Sequence, residues 1–312
     1  MCIRDRNIMN CDRCQNQATY SRKYSGENLC SKCFSNSILQ KIARTISKHK
    51  MIKNNELVCV GVSGGKDSLV LLDSLNNMSK THNFRIIAVT IDEGIPGYRD
   101  EALKIVENFC SKLKIEYKVF SYKKLFDLTL EESLHLRNDE KQSSCSICGT
   151  FRRRALDHAA KEINADVIAT GHNLDDMVQT FLINILSGDT NKIGWMDPDI
   201  SAKKTRKIKP LSEIYESDIV FYAFTNNFPF QSEPCPHMDE GIRTEIREWL
   251  NSLESNHSGI KNNMYKSILK ISKIVNESNH IEKQICTFCG NECTGMICSV
   301  CNMMKGLKIN RS

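Results

Sequence analysis

Short apolar segments alternate with amphipathic segments through the middle of the chain. Four apolar runs predict buried strands, at Glu56–Val62, Phe84–Ile91, Ile115–Phe120 and Ala165–Thr170. Helical spacing of apolar residues predicts helices at Ser35–Lys50, Lys66–Leu75, Arg99–Leu113, Ser146–Ile163 and Asn173–Leu186. This alternation predicts an α/β fold with a doubly wound, parallel, Rossmann-like sheet. Ligands of such a sheet bind at the carboxyl ends of its strands.

The segment after the last predicted strand is polar and basic. Residues 188–209 are rich in lysine and arginine and are predicted to form a loop. Helical spacing returns farther on, and a linker is predicted at Ser255–Lys261. The later helices are predicted at Glu213–Asn227, Asp239–Leu253 and Asn262–Asn276.

Bulk composition is ordinary for a soluble protein. Of 312 residues, 40% are hydrophobic and 26% are charged. No apolar run reaches the roughly 18–20 residues of a membrane span, and no secretory signal is visible. We therefore expect a cytoplasmic protein without a membrane partner, in which Met1–Arg6 is an unstructured leader. The net charge of +6 is compatible with an acidic polymer as partner.

Cysteine is far more abundant than packing requires, with fifteen residues, most of them in C-x-x-C pairs. Without an export signal, such pairs indicate metal or redox sites instead of disulfides. Two double pairs, one near each end, have the spacing of four-cysteine structural zinc sites. They are Cys11, Cys14, Cys30 and Cys33, and Cys286, Cys289, Cys298 and Cys301. Such zinc ribbons fold short segments that lack a core, and a nucleic-acid contact is a second possibility.

The cysteine pairs suggest four regions. An N-terminal zinc ribbon is predicted at residues 1–36, and the α/β domain at 37–254 with its basic loop at 188–209. A linker and a basic helix follow at 255–283. A C-terminal zinc ribbon closes the chain at 284–312.

Three further cysteines, Cys145, Cys148 and Cys235, lie in the central region. Three thiols lack the fourth ligand of a closed zinc site. They are expected to hold a [4Fe–4S] cluster with one iron open, or to carry persulfide and resolve it through a disulfide. A zinc site completed by His237 is the structural alternative. Outside these sets, Cys59 and Cys110 are expected in the core and Cys293 is expected to be a non-ligand.

A glycine-rich turn, Gly61–Ser68, follows the first predicted strand and opens a helix. Small residues there let backbone N–H groups approach a phosphate at the helix N-terminus. The turn is not the usual P-loop, because Val60 and Asp67 stand where that motif has Gly and Ser or Thr.

The six residues SGGKDS resemble the PP-loop of the ATP pyrophosphatase superfamily. The resemblance implies that the turn cradles the pyrophosphate of ATP and that Asp67 helps to hold Mg²⁺. It also makes Gly171 and Asp175 of TGHNLDD residues of the ATP site, and places adenine against the backbone of Ile91. The implied ATP contacts are Gly61, Ser63, Gly64, Gly65, Lys66, Asp67, Ser68, Ile91, Arg152, Gly171 and Asp175.

The ordered set of motifs resembles the two-zinc-finger family of tRNA 2-thiolation enzymes over nearly the whole chain. Its motifs are the first ribbon, SGGKDS, IDEGIPGYRDEAL, CSICGTFRRRALDHAA, TGHNLDD, EPC and the second ribbon. Residues 92–100 and 148–157 resemble the branch that thiolates the wobble uridine more than the branch that thiolates the T-loop uridine. Arg152 stands where the family has a basic residue near the phosphates and the cluster.

The resemblance implies an adenylation mechanism. The uridine 2-oxygen would attack the α-phosphate of ATP, and sulfide would then displace AMP. Lys66, Asp67 with Mg²⁺, Arg152 and the three central cysteines would carry out this chemistry. The implied partners are tRNA, a ubiquitin-like sulfur carrier with a C-terminal thiocarboxylate, and a second identical or paralogous subunit.

A basic surface is expected to hold the tRNA phosphates. Its candidates are Lys203, Lys204, Arg206, Lys207, Lys209, Lys266, Lys270 and Lys273.

Two rival interpretations remain open. One is a PP-loop enzyme that amidates a small carboxylate or thiolates a cytidine. The other is a non-catalytic zinc-ribbon protein that binds RNA or acts as a scaffold. AMP release that depends on a small acid would support the first, and tight tRNA binding without AMP release would support the second.

Overall fold

The computed structural model describes residues 9–137, 143–200, 205–238, 242–278 and 284–307. The strands are β1 (Tyr20–Arg22), β2 (Glu27–Leu29), β3 (Leu57–Gly61), β4 (Arg85–Asp92), β5 (Tyr117–Ser121), β6 (Val167–Ala169), β7 (Asp199–Ile200), β8 (Arg206–Ile208), β9 (Gln284–Ile285) and β10 (Glu292–Cys293). The helices are α1 (Ser31–Lys48), α2 (Lys66–Ser79), α3 (Tyr98–Leu113), α4 (Tyr122–Phe126), α5 (Leu130–His135), α6 (Ser144–Glu162), α7 (Leu174–Leu186), α8 (Thr190–Gly194), α9 (Glu216–Thr225), α10 (Ile242–Asn256), α11 (Ile260–Ser278) and α12 (Ser299–Gly306).

A six-stranded sheet forms the centre of the chain, with the order β5-β4-β3-β6-β8-β7. The first five strands are parallel, and β7 is antiparallel to β8. The strand order changes direction between β3 and β6, which is where a doubly wound sheet opens a ligand crevice. The predicted α/β fold and its four predicted strands are confirmed.

The central strands are buried on both faces, which explains why their sequences are continuously apolar. Val58 and Val60 of β3 pack into one core with α1, α2 and α9, whereas Cys59 packs into a second core with α6. Side chains alternate between the faces of a strand, so one apolar run supplies both cores. A third cluster joins α7, α8, α10 and α11.

Both ends of the chain fold back onto this domain. Phe34 and Ile38 of α1 belong to the first core, and Val300 and Met304 of α12 belong to the second. The two ribbons contain the two-stranded sheets β1-β2 and β10-β9. No helix in the described ranges is long and apolar enough to cross a membrane.

The region predicted as a basic loop contains more structure than expected. Residues 188–209 include α8, β7 and β8, and β8 adds a fifth parallel strand beside β6. The predicted linker Ser255–Lys261 is also shorter, because α10 continues to Asn256 and α11 begins at Ile260. Glu254 stabilises this tight turn by accepting hydrogen bonds from the N–H groups of Gly259 and Lys261, at 2.6 and 2.9 Å.

Candidate active site

Two loops meet at the carboxyl edge of the sheet, one after β3 and one after β6. Gly171 in the second loop lies directly against the first. A Cβ atom at Gly171 would stand 3.1 Å from the carbonyl carbon of Asp67 and 3.2 Å from the nitrogen of Ser68. Only glycine permits this approach of two backbones without displacing them. Gly171 thus lets the two loops come together, and its contact with ATP stays a prediction.

The glycine-rich turn is held open by its own hydroxyl groups. Ser68 Oγ accepts a hydrogen bond from the N–H of Ser63 at 3.1 Å and donates to the carbonyl oxygen of Gly65 at 2.8 Å. Gly64 has a φ of +92°, and a Cβ there would lie 3.1 Å from Ala102 of α3. Gly65 is the N-cap of α2 and forms no side-chain hydrogen bond to the first turn, so the N–H groups of this turn stay available to a ligand. The turn from Gly61 therefore has the form of an anion cradle.

Lys66 and Asp67 project from the start of α2 and are already in contact. Lys66 Nζ lies 3.0 Å from Asp67 Oδ2 and 2.7 Å from Oε1 of Glu216 in α9. Burial lowers the pKa of Lys66, but the two carboxylates outweigh it and raise the pKa to about 12. Lys66 therefore remains a cation beside the cradle. Glu216 was not predicted, because it lies 150 residues away in the sequence.

The loop after β6 places two aspartates in different roles. Asp175 is buried and bonded to Lys261 Nζ and to the N–H of Glu216. The predicted ATP-site residue Asp175 thus anchors α9 and α11 in this structure, and its contact with ATP stays a prediction. Its neighbour Asp176 accepts a hydrogen bond of 3.2 Å from the N–H of Asn173, and burial and the charge of Asp67 raise its pKa to about 6. Asp176 was missed because both aspartates begin the same helix.

Ile91 lies at the end of β4, as predicted, and is buried. Its carbonyl oxygen accepts a hydrogen bond of 2.6 Å from the guanidinium of Arg99 in α3. The backbone contact between Ile91 and adenine stays a prediction.

The central cysteines lie at the same edge of the sheet. Cys145 and Cys148 occupy the first turns of α6, with Cys145 exposed and Cys148 buried. Tyr122 donates a hydrogen bond of 2.7 Å to the Cys148 carbonyl. Cys235 lies on the facing loop 232–238, where the carbonyl of the nearby His237 lies 3.8 Å from Cys145 Sγ. Among the described residues, the thiols of Cys145, Cys148 and Cys235 do not form a group in which all ligand atoms lie within 4.8 Å of one another.

Arg152 connects these cysteines to the crevice. Its guanidinium donates to Cys148 Sγ at 3.2 Å and to Oε1 of Glu93 at 2.8 Å. Its side chain is 53% exposed, so it can still meet a ligand from the solvent side. Burial and the positive charges of Lys209, Arg243, Arg152 and Arg153 lower the pKa of His172 to about 4. These four cations would favour an anion on this side of the crevice.

The zinc alternative with His237 is not supported by its contacts. The imidazole Nε2 lies 2.6 Å from Oε1 of Glu131. Among the described residues, His237 is not part of a group of ligand atoms that all lie within 4.8 Å of one another. The imidazole Nε2 contacts a carboxylate of α5 in this structure, and a zinc site completed by His237 stays an alternative.

The terminal cysteines form two compact groups, as their spacing predicts. In each group the ligand atoms lie within 4.8 Å of one another. The members are Cys11, Cys14, Cys30 and Cys33 in the first group, and Cys286, Cys289, Cys298 and Cys301 in the second.

The two terminal groups are built in the same way. The third cysteine of each set, Cys30 or Cys298, caps the helix that carries the fourth. Backbone N–H groups, chiefly that of Cys30, lower the pKa of Cys11 to about 6. Four converging thiols with such donors have the composition of a structural metal site.

The remaining cysteines lie outside these groups. Cys59 and Cys110 are buried at 0% and 1% exposure, which places them in the cores as predicted. Cys293 lies beside the second group, but its thiol donates to the carbonyl of Gly295 at 2.8 Å. Within the part of the chain that the structure describes, it is not a member of the four-cysteine group, and its non-ligand role stays a prediction.

Part of the predicted basic surface is engaged within the protein. Lys207 pairs with Asp157 at 2.6 Å, and Arg206 pairs with Glu56 at 2.8 Å. Lys209 donates to two main-chain carbonyls of the segment after α8. Three of the five loop cations thus stabilise β8 and its connection. Lys203 and Lys204 lie outside the described residues.

The basic helix α11 differs from the loop. Its cations Lys266, Lys270 and Lys273 are exposed. They remain available to a partner.

Comparison with known families agrees with this architecture. A family described as "PP-loop domain" matches residues 35–254. A second, described as "2-thiouridine synthetase TtuA, N-terminal LIM domain", matches residues 10–35. The first match spans the sheet, the cradle and the central cysteines.

Curated relatives match along nearly the entire chain. A probable sulfurtransferase of Methanocaldococcus jannaschii is 35% identical, covering 97% of this chain and 89% of the relative. The tRNA 2-thiolation protein NcsA of Haloferax volcanii is 30% identical, with 96% and 99% covered. The cytoplasmic tRNA 2-thiolation protein 1 of Drosophila erecta is 34% identical, with 96% and 88% covered.

A solved structure shares the complete architecture. The U34-tRNA thiolase NcsA from Methanococcus maripaludis, solved with its [4Fe–4S] cluster, superposes with a TM-score of 0.82. It is 32% identical, and 96% of each chain is covered. The chain therefore belongs to the PP-loop family of tRNA 2-thiolation proteins.

Proposed function

We propose that this chain is a cytoplasmic, ATP-dependent tRNA sulfurtransferase that replaces the 2-oxygen of a uridine with sulfur. One observation carries the proposal: Arg152 joins the thiol of Cys148 to the edge of the sheet that bears the nucleotide cradle. An activating nucleotide and a sulfur-carrying group therefore have adjacent places. The relatives named for tRNA 2-thiolation support the same reaction.

The first step is adenylation of the base. The uridine 2-oxygen attacks the α-phosphorus of ATP, a new P–O bond forms, and pyrophosphate leaves. The N–H groups at the start of α2 and the cation of Lys66 stabilise the negative charge on the phosphates. Asp67, whose charge raises the pKa of Asp176, would hold Mg²⁺, whose charge also offsets the repulsion between these carboxylates.

The second step replaces oxygen by sulfur. A sulfide sulfur attacks C2 of the activated base, the C–O bond breaks, and AMP leaves with the original oxygen. Arg152 lies beside Cys148 and stabilises the departing phosphate.

Three thiols, Cys145, Cys148 and Cys235, suit a [4Fe–4S] cluster like the one named in the Methanococcus maripaludis enzyme. Their wider arrangement, compared with the terminal groups, agrees with a group larger than a single ion. When bound through three cysteines, the cluster would supply one iron that can hold sulfide. Persulfide on the same cysteines, resolved through a disulfide, is the alternative route.

The terminal four-cysteine groups are proposed to bind one zinc ion each. Their donor set of four thiols is the one that structural zinc prefers. Each ion would hold a short segment against the catalytic domain, through α1 at one end and α12 at the other.

The proposed partners follow from charge and chemistry. Lys266, Lys270 and Lys273 on the exposed face of α11 would contact tRNA phosphates. Neutralising these three residues should weaken tRNA binding and reduce its dependence on salt. A ubiquitin-like protein with a C-terminal thiocarboxylate is the proposed sulfur source, and a second identical or paralogous subunit is the proposed oligomeric partner.

An anaerobic thiolation assay tests the function. The reconstituted protein is incubated with unmodified tRNA, Mg-ATP and sulfide, and 2-thiouridine is located by mass spectrometry after digestion. Sulfur at the wobble uridine is the expected result, in line with the U34 thiolase. Sulfur in the T-loop would keep the chemistry and change the target. Bound ATP without any incorporated sulfur would favour a non-catalytic RNA-binding role.

A further inference from the structure

A buried cation lies between the nucleotide cradle and the end of β4. Arg99 of α3 is only 4% exposed, and its guanidinium donates to the Ser63 carbonyl at 2.9 Å. The same guanidinium donates to the Ile91 carbonyl at 2.6 Å. Arg99 therefore fixes the backbone of the cradle relative to the neighbouring strand.

Glu93 lies between Arg99 and the helix that carries Cys145 and Cys148. It is 3% exposed, and its Oε2 lies 2.8 Å from Arg99 Nε. Its Oε1 lies 2.8 Å from Nε of Arg152 in α6. A single carboxylate thus joins a cation of α3 to a cation of α6.

The backbone around Glu93 is restrained as well. Its carbonyl accepts a hydrogen bond of 2.8 Å from the N–H of Leu130. The next residue, Gly94, has a φ of +72°, and a Cβ there would lie 2.6 Å from Thr129 Cγ2. The backbone on both sides of Glu93 is therefore held by the start of α5.

The contacts that begin at Ser63 end at the thiol of Cys148. Arg152 donates to Cys148 Sγ at 3.2 Å. Two guanidinium groups share one carboxylate, so one positive charge is left beside the cysteine and the open crevice. A phosphate that reaches Arg152 from the crevice would compete with Cys148 for its guanidinium.

We propose that Glu93 is a positioning residue that couples nucleotide binding at the cradle to the contact between Arg152 and the Cys148 thiol, and so to the accessibility of that thiol, with Arg99 as the link to the cradle. The inference rests on the proposed function in one respect, namely that the ligand of the cradle is ATP. Phosphates that draw on Arg152 or displace Ser63 change the environment of the thiol, because every link is a direct contact.

The test measures thiol reactivity in the protein without its cluster. Iodoacetamide labels the protein with and without a non-hydrolysable Mg-ATP analogue, and mass spectrometry follows Cys148. In the wild type, the analogue should change the labelling rate by about fivefold or more, a modest coupling between two sites. In Glu93→Gln, the analogue should still bind, measured by equilibrium dialysis, but should leave the rate unchanged.

Controls separate coupling from damage to the fold. Cys59 and Cys110, both buried, should stay unlabelled in any folded variant. Glu56→Gln is the matched variant, because Glu56 pairs with Arg206 at 2.8 Å at the opposite edge of the sheet. Its nucleotide response should equal that of the wild type.

A second variant keeps the charge of the network. Arg99→Lys preserves the buried cation but loses the planar group that reaches both Ser63 and Glu93. It should also lose the response. A full response in Arg99→Lys or in folded Glu93→Gln overturns the inference.

The wild-type measurements separate failure of this inference from failure of the proposed function. If the wild type binds the analogue without any change at Cys148, this inference fails and the proposed function stands. If the wild type does not bind the analogue, the proposed function itself fails.

Discussion

The side-chain amide of Asn173 donates a hydrogen bond of 2.8 Å to Asp67, from which it is separated by 106 residues. Asn173 also caps α7, because its Oδ1 accepts from the N–H of Asp176 at 2.9 Å. One buried amide thus fixes the orientation of Asp67 and the start of the helix that carries the second aspartate.

Replacing Asn173 by alanine should affect both stability and activity. Loss of the cap should cost about 1 kcal/mol in the free energy of unfolding. Loss of the contact with Asp67 should lower AMP release by roughly tenfold, since small displacements of a catalytic group are costly. Denaturant titration and an AMP assay measure the two effects.

Asp189→Ala is the control for this variant. Asp189 caps α8 by accepting from the N–H of Lys192, away from the cradle. It should lose stability without losing AMP release. Normal AMP release in Asn173→Ala would show that Asp67 does not need this contact.

Gly171→Ala should separate the two loops of the site. The added Cβ would lie 3.1 Å from the backbone of Asp67, where no flexible side chain can yield. Overpacking of this kind costs about 1–3 kcal/mol, and we expect the Kd for ATP to rise by roughly tenfold. Isothermal titration measures the affinity.

Gly306→Ala serves as the control, because a Cβ there meets nothing within 4 Å. It should bind ATP like the wild type. An unchanged Kd in Gly171→Ala would mean that the approach of the loops has no part in nucleotide binding.

The strands that the sequence predicted share one physical property. Residues of β3 are apolar at consecutive positions because helices cover both faces of the sheet. The missed strand β8 reads Arg-Lys-Ile, and its polar residues are accommodated by Glu56 and Asp157. Those partners are distant in sequence, so no local pattern distinguishes this strand from a basic loop.

The same distinction applies to the site. The glycine-rich turn before α2 and the terminal cysteine groups are local motifs, so the sequence could predict where they lie. Glu216, Lys261 and Glu93 act through contacts with distant elements, which no spacing encodes. Asp175 and Asp176 are adjacent in a helix, and only the folded structure shows that Asp175 anchors α9 while Asp176 experiences the charge of Asp67.

Breaking the pair of Asp175 and Lys261 should destabilise the fold. Both side chains are buried, at 4% exposure, and Lys261 also donates to Asn251 at 2.6 Å. Removing one partner of a buried ion pair costs about 3–5 kcal/mol, so Asp175→Asn and Lys261→Met should each lower the unfolding free energy by that amount. The double variant should lose less than the sum of the two.

Nucleotide affinity decides what else Asp175 does. If its role is the anchor alone, Asp175→Asn at a temperature where it remains folded should bind ATP with a nearly unchanged Kd. A large loss of affinity in the folded variant would instead support the predicted ATP contact of Asp175.

Asp176 should make stability depend on pH. Burial and the charge of Asp67 raise its pKa from 3.8 to about 6. A raised carboxyl pKa contributes stability that is fully present below about pH 4 and is lost as the pH rises through about 6. Asp176→Asn should therefore gain thermal stability relative to the wild type as the pH rises from 4 to 7, without Mg²⁺. If the difference in thermal stability between Asp176→Asn and the wild type does not vary with pH, Asp176 does not have this raised pKa.

The terminal groups should bind metal independently of the central cysteines. Cys14→Ser and Cys301→Ser each remove a member of one four-cysteine group, so each should lower the zinc content from two ions per chain to one. Cys235→Ser should abolish thiolation but keep both ions, and Cys293→Ser should keep them too, since its thiol bonds to Gly295. Elemental analysis of the purified variants measures the zinc. If Cys293→Ser loses an ion, Cys293 is a zinc ligand in place of one of the four proposed cysteines. If Cys235→Ser loses an ion, zinc is bound at the central cysteines.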